Sequence, residues 1–107
     1  MDWMTEAKTM LPQAVALRRQ IHRQPELGLD NPKTRDVVID QLAGMEAEIA
    51  RGKSTSGLVV SMQGARKGKS IILRGDTDAL PMPEDTGLPF SSEIAGRMHA
   101  CGHDAHT

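Results

Sequence analysis

The apolar positions of the chain change spacing three times. Met10, Ala14, Leu17 and Ile21 recur at intervals of 4, 3 and 4, the stripe of one helical face. Thr5 is a candidate cap for this first helix, although Lys8 stands where a capping box would place Glu or Gln. Pro12 is tolerated in a first turn and shifts the expected start to Met10 or Leu11. Arg18, Arg19, His22 and Arg23 crowd the last turns, where they complement the helix dipole. Pro25 biases Gln24 away from helical angles and ends the element.

A second helix is expected from Pro32 to Ala43, with Asn31 as cap and proline at the first helical position. Val38, Leu42 and Met45 form its stripe, Val37 and Ile39 flank it, and Gly44 is a natural stop. Glu46 to Arg51 alternates weakly, as a short edge strand does. Leu58 to Met62 reads as a further strand, followed by a turn over Gly64 to Lys69. Ser70 to Leu73 is expected as the next strand, antiparallel to the one before it and buried on both faces. Helix, helix and then a strand group define an α/β layer whose sheet calls for more strands than these.

Composition narrows the function classes. With 38% hydrophobic residues, 25% charged residues and a net charge of -1, the chain reads as a soluble globular piece without an electrostatic footprint for nucleic acid. One Trp, one Phe and no Tyr leave no base-stacking platform. A single Cys excludes an internal disulfide framework and makes a cytoplasmic setting the default. No apolar run approaches the roughly 20 residues of a membrane helix. Lys8, Pro12, Arg18 and Arg19 interrupt any signal-peptide core. The stop at Thr107, directly after the chemically richest stretch, suggests a fragment of a longer protein.

That stretch follows the last predicted strand. Asp76 and Asp78 are two apart, so an extended backbone points both carboxylates the same way. Strand ends are where α/β proteins place ligands; each Asp could equally cap a turn or pair with an arginine, and spacing leaves both readings open. Glu84 reads as a solvated loop charge and Met82 as packing. Then come His99, Cys101, His103, Asp104 and His106: three of the four histidines and the only cysteine fall within eight residues. Thiolate and imidazole are preferred ligands of zinc and its neighbours, and carboxylates serve as ligands or as partners behind them. Cys101 and His103 would stand about 200° apart on a helix. They can face one ion only if the stretch turns, which Gly102 permits, with a helix beginning near His103. Asp78, with Asp104 second, is suited to accept the far ring N–H of a ligating histidine and fix its tautomer.

Four blocks match a known family in order and spacing: His22 to Gly28, Leu73 to Pro81, Glu84 to Phe90, and Gly96 to Asp104. From about Leu17 to Thr107 the chain resembles the N-terminal part of metal-dependent amidohydrolases of the aminoacylase/carboxypeptidase metallopeptidase family. The resemblance is to the branch of N-acyl-amino-acid, hippurate and auxin-conjugate hydrolases. It implies a zinc-peptidase-like α/β/α catalytic domain, with two helices followed by strands of a mixed sheet. Residues 1–107 would be its N-terminal portion, and the remainder and a dimerisation domain would lie beyond.

It further implies a centre of two divalent metal ions (Zn, Mn, Co or Ni), with Cys101 and His103 as ligands. Asp76 and Asp78 match the acidic motif near the metals and stand as candidate catalytic residues. Relatives outside this branch have His where Asp76 stands, so no ligand role is carried to Asp76. The implied reaction is attack of metal-activated water on the amide carbonyl of an N-acyl amino acid or small peptide, with a glutamate as general base. That glutamate and the remaining ligands come downstream in the family. Glu84 and Glu93 precede the Cys/His block and do not match it, so these residues alone would be inactive. The complete parent would be a homo-oligomer, dimer or tetramer, with no nucleic-acid or membrane partner.

Two other readings compete. The chain could be a small non-catalytic metal-binding module built on Cys101, His103 and one or two of Asp78, His99 and His106, although a closed structural zinc site needs a second ligand pair. Alternatively Cys101 could be a nucleophile paired with His103 or His99, an awkward geometry at two residues' separation that leaves the aspartates without a task.

Overall fold

The computed structural model describes residues 1–107. Helix α1 runs Trp3–Arg23, earlier than the Met10 start expected from Pro12. Asp2, not Thr5, is the cap: its side chain accepts from the Met4 N–H at 3.1 Å and from the Thr5 hydroxyl at 2.5 Å. Pro12 therefore lies inside the helix. Of the predicted stripe, Met10 and Ala14 are exposed, Leu17 is half-buried and Ile21 is buried, so only the C-terminal end of α1 reaches a core.

Helix α2 spans Pro32–Gln41, with proline at its first turn as expected, and Gly44 follows with φ of 85°. Asn31 holds the cap position without capping through its side chain. Its amide instead donates to the Gly28 carbonyl at 3.0 Å and the Thr77 hydroxyl at 3.1 Å. The α2 amides are taken by Glu26, whose carboxylate accepts from Lys33 N at 3.1 Å, Thr34 N at 2.7 Å and the Thr34 hydroxyl at 2.8 Å.

Strands β1 (Ala47–Arg51) and β2 (Leu58–Met62) form a two-stranded antiparallel sheet, with Ala47 opposite Met62 and Arg51 opposite Leu58. The fold class is α/β, as expected, but the sheet is purely antiparallel rather than mixed. Parallel character is confined to one isolated bridge between Leu27 and Ala79. The strand expected at Ser70 to Leu73 is not there. Ile71, Ile72 and Leu73 are 85%, 92% and 92% exposed and pair with nothing. Nothing covers the apolar triplet, so no neighbouring strand takes up its hydrogen bonds.

Helix α3 is one turn, His103–His106, entered through Gly102 at φ 87°, a left-handed conformation that glycine adopts without a Cβ penalty. Only Ile21, Ala79 and Pro25 form a buried apolar centre. Around it the buried residues are polar: His22, Glu26, Asn31, Thr34, Ser56, His99 and Asp104. Most buried polar groups are hydrogen-bonded, and all of these but His99 make at least one side-chain bond, so hydrogen-bond geometry fixes this region more tightly than apolar packing.

Candidate metal-binding and carboxylate–histidine site

Two histidine clusters stand back to back across α3. The first is His103. Its Nδ1 lies 2.8 Å from the Asp78 carbonyl oxygen and 2.9 Å from Asp78 Oδ1. Both are acceptors, so Nδ1 carries the proton and donates. That leaves Nε2 as the atom able to offer a lone pair, and it faces Asp76 Oδ2 at 3.6 Å. Asp76 and Asp78 thus straddle one imidazole, as their spacing of two predicts, and Asp78 occupies the orienting position. Asp76 also binds Arg74 at 2.7 Å through its other oxygen. A cavity of about 430 Å³ opens beside the two aspartates, bounded on its far side by Val38 of α2 and Leu58 and Val60 of β2.

Cys101 is exposed, on the turn just before α3. His106 sets its ring edge-on to His103, with centroids 5.3 Å apart. The donor chemistry of this turn (one accessible thiol, one imidazole with Nε2 left open, carboxylates alongside) fits part of a divalent-metal site. It does not complete one, since no three His, Cys, Asp or Glu side chains converge closely enough to hold an ion.

The second cluster centres on His22, whose sequence context marks a helix-end charge and the start of one family-matching block but no partner. Its Nδ1 is 2.8 Å from Asp104 Oδ2 and its Nε2 is 2.8 Å from Glu84 Oε1. Each ring nitrogen thus faces a carboxylate oxygen, and the ring is held from both ends. Arg18, one helical turn earlier, reaches the same Asp104 oxygen at 3.2 Å. Glu84 is no solvated loop charge: its carboxylate is buried and accepts from Thr86, the Ser92 N–H and His22. Burial alone would push the Glu84 pKa up. The bonds from Thr86, Ser92 and His22 outweigh it and hold the group below its ordinary value. The one clue in the sequence was the four-residue spacing of Arg18 and His22, which puts both on one helix face; nothing local marked Glu84 as their partner.

His99 lies between the clusters, buried, its ring centroid 6.3 Å from that of His22. Burial lowers its pKa, against the opposing pull of the Asp104 and Asp78 carboxylates. Neither of its ring nitrogens has a hydrogen-bond partner, nor has Asp104 Oδ1.

Comparison with known proteins follows the same ground. Residues 72–107, which carry both aspartates and the Cys/His turn, match the family model described as peptidase family M20/M25/M40. An N-acetyldiaminopimelate deacetylase of Listeria innocua is 44% identical over 98 residues, covering 91% of this chain and 26% of that protein. A solved protein of methicillin-resistant Staphylococcus aureus superposes with a TM-score of 0.88 at 36% identity, over 95% of this chain and 27% of that one. The Bacillus subtilis YXEP protein, described as a dinuclear metal binding peptidase from the M20 family, gives 0.82 at 36% identity over 91% and 27%. The chain spans about a quarter of the length of the curated relatives it matches.

Proposed function

We propose that this chain, which carries the N-terminal portion of peptidase family M20/M25/M40, contributes part of a divalent-metal centre for hydrolysing the amide bond of N-acyl amino acids or small peptides. Residues 1–107 would then be the N-terminal portion of a catalytic domain whose other ligands and general base come from further residues. The observation that carries the reading is the His103 geometry: Asp78 accepts from Nδ1–H and leaves Nε2, on the Asp76 side, as the ring's lone-pair donor, with an accessible thiol two residues away.

Cys101 and His103 would hold the metal, which when bound supplies Lewis acidity toward the amide carbonyl. Asp78 holds His103 in one tautomer and orientation. Asp76 sets a negative charge beside Nε2, steadied by Arg74. The metal would be Zn, Mn, Co or Ni, two ions to a complete centre, and the complete protein a cytoplasmic homo-oligomer. Reading the chain as a non-catalytic metal module is weaker, because its own donors close no site.

Metal retention is the test. Cys101→Ser and His103→Ala should each lower Co(II) affinity, measured by absorption titration, at least tenfold, while Asp40→Asn, an exposed position on α2, leaves it unchanged. Equal affinity in all three variants would remove Cys101 and His103 as ligands.

A further inference from the structure

The carboxylate–imidazole–carboxylate chain around His22 lies outside the proposed metal-holding residues, yet one end of it is next to them. Asp104 follows His103 directly on the single turn of α3. Its side chain is 0% exposed and its Oδ2 accepts from both His22 and Arg18. Removing a buried carboxylate from water is costly unless its partners remain fixed, so Asp104 keeps to the one place where both donors reach it. At the ends of the turn, Ala105 N bonds to Gly102 O at 3.0 Å and Thr107 N to His103 O at 2.9 Å. A four-residue helix is not stable by itself. Side-chain ties hold it in place: His103 to Asp78, Asp104 to His22 and Arg18, and the Thr107 hydroxyl to the Asp76 carbonyl.

At the far end of the imidazole, Glu84 gathers its own loop through Thr86 and Ser92. The ring is enclosed rather than loose. Phe90 packs edge-on against it with centroids 5.5 Å apart, and the Arg19 guanidinium covers Phe90 at 4.7 Å. Residues 22, 84 and 104 thus meet through two 2.8 Å contacts across 62 and 82 positions of sequence.

We propose that His22 is a positioning residue that couples the Glu84–Ser92 loop to the turn carrying Cys101 and His103. Resting on the reading of that turn as metal-holding, the inference adds that the turn's geometry is set from the loop through a ring held at both ends. Only an imidazole reaches both carboxylates along one rigid ring. A glutamine would satisfy one and turn an oxygen or a misplaced N–H toward the other.

The test uses the 107-residue chain, amide hydrogen exchange and Co(II) titration. His22→Gln should speed exchange at Ala105 and Thr107 at least about tenfold relative to central α1 and the β1–β2 pair, the size expected for losing a charge-assisted bond. Co(II) affinity should fall by a similar factor. Glu84→Gln should act the same way when His22 is present and add less than about twofold in the His22→Gln background, because the effect travels through the ring.

Equal acceleration at α1 and at the turn would mean a general structural role and would overturn the coupling. So would a Glu84→Gln effect undiminished without His22. If His22→Gln does not fold, Glu84→Gln alone decides: unchanged exchange at Ala105 and Thr107 sinks the proposal. Cys101→Ser separates the two readings. If it leaves Co(II) binding intact while the exchange pattern holds, the metal assignment fails and the coupling stands.

Discussion

Glu84 collects a hydroxyl, a backbone N–H and a ring N–H on one buried carboxylate, and this has a consequence for acid stability. Its pKa in the folded chain lies below the ordinary 4.5 because these bonds outweigh burial. The unfolded chain therefore takes up a proton on Glu84 at higher pH than the folded chain does. The stability this linkage supplies is fully present above pH 4.5 and is lost as pH falls from there through the folded value. Glu84→Gln should be less stable than the parent at neutral pH and show a shallower loss below pH 4.5, followed by circular dichroism in an acid titration. A variant with the parent's acid profile would show that Glu84 does not carry the effect.

Helix α2 shows how an element can be right in place and differently held. Its proline start and glycine stop were legible locally, since both act through the backbone of their own residues. Its cap was not, because Glu26 comes from the preceding loop, seven and eight residues before the amides it accepts. Glu26→Ala should cost about 1–2 kcal/mol in urea unfolding, the upper range for a lost cap. Asn31→Ala should leave α2 helicity unchanged, since the Asn31 side chain caps nothing. The missing strand at Ser70 to Leu73 follows the same logic. Alternating or apolar sequence qualifies a segment to be a strand, but a strand exists only where a neighbour accepts its hydrogen bonds.

Across the whole molecule, apolar surface remains open. The radius of gyration is 15.5 Å, against about 13 Å for a closed domain of roughly 100 residues. Only ten of 107 residues are buried. Ile71, Ile72 and Leu73 form a contiguous apolar strip of the kind that drives association. Ile72→Lys should change stability by less than about 0.5 kcal/mol, as exposed substitutions do, while reducing self-association in sedimentation analysis. A large loss of helicity would mean that the side chain packs in solution. No helix is long and apolar enough to cross a membrane.

Sequence by itself determined what is written within a few residues: two helices, the Leu58 to Met62 strand, the Gly102 turn with α3 behind it, and the concentration of His, Cys and Asp that marks residues 76 to 106. Helical periodicity, proline and glycine act through local backbone sterics, so they can be read in order. The role of Asp78 beside a ligating histidine was expected from the sequence, whereas tertiary structure alone decided that Glu84 and Asp104 serve His22. Asp78 is 25 residues from His103, and Glu84 and Asp104 are 62 and 82 from His22. Burial selects those pairs, because a buried carboxylate must find donors wherever the fold brings them, and no local pattern encodes a partner so far along the chain.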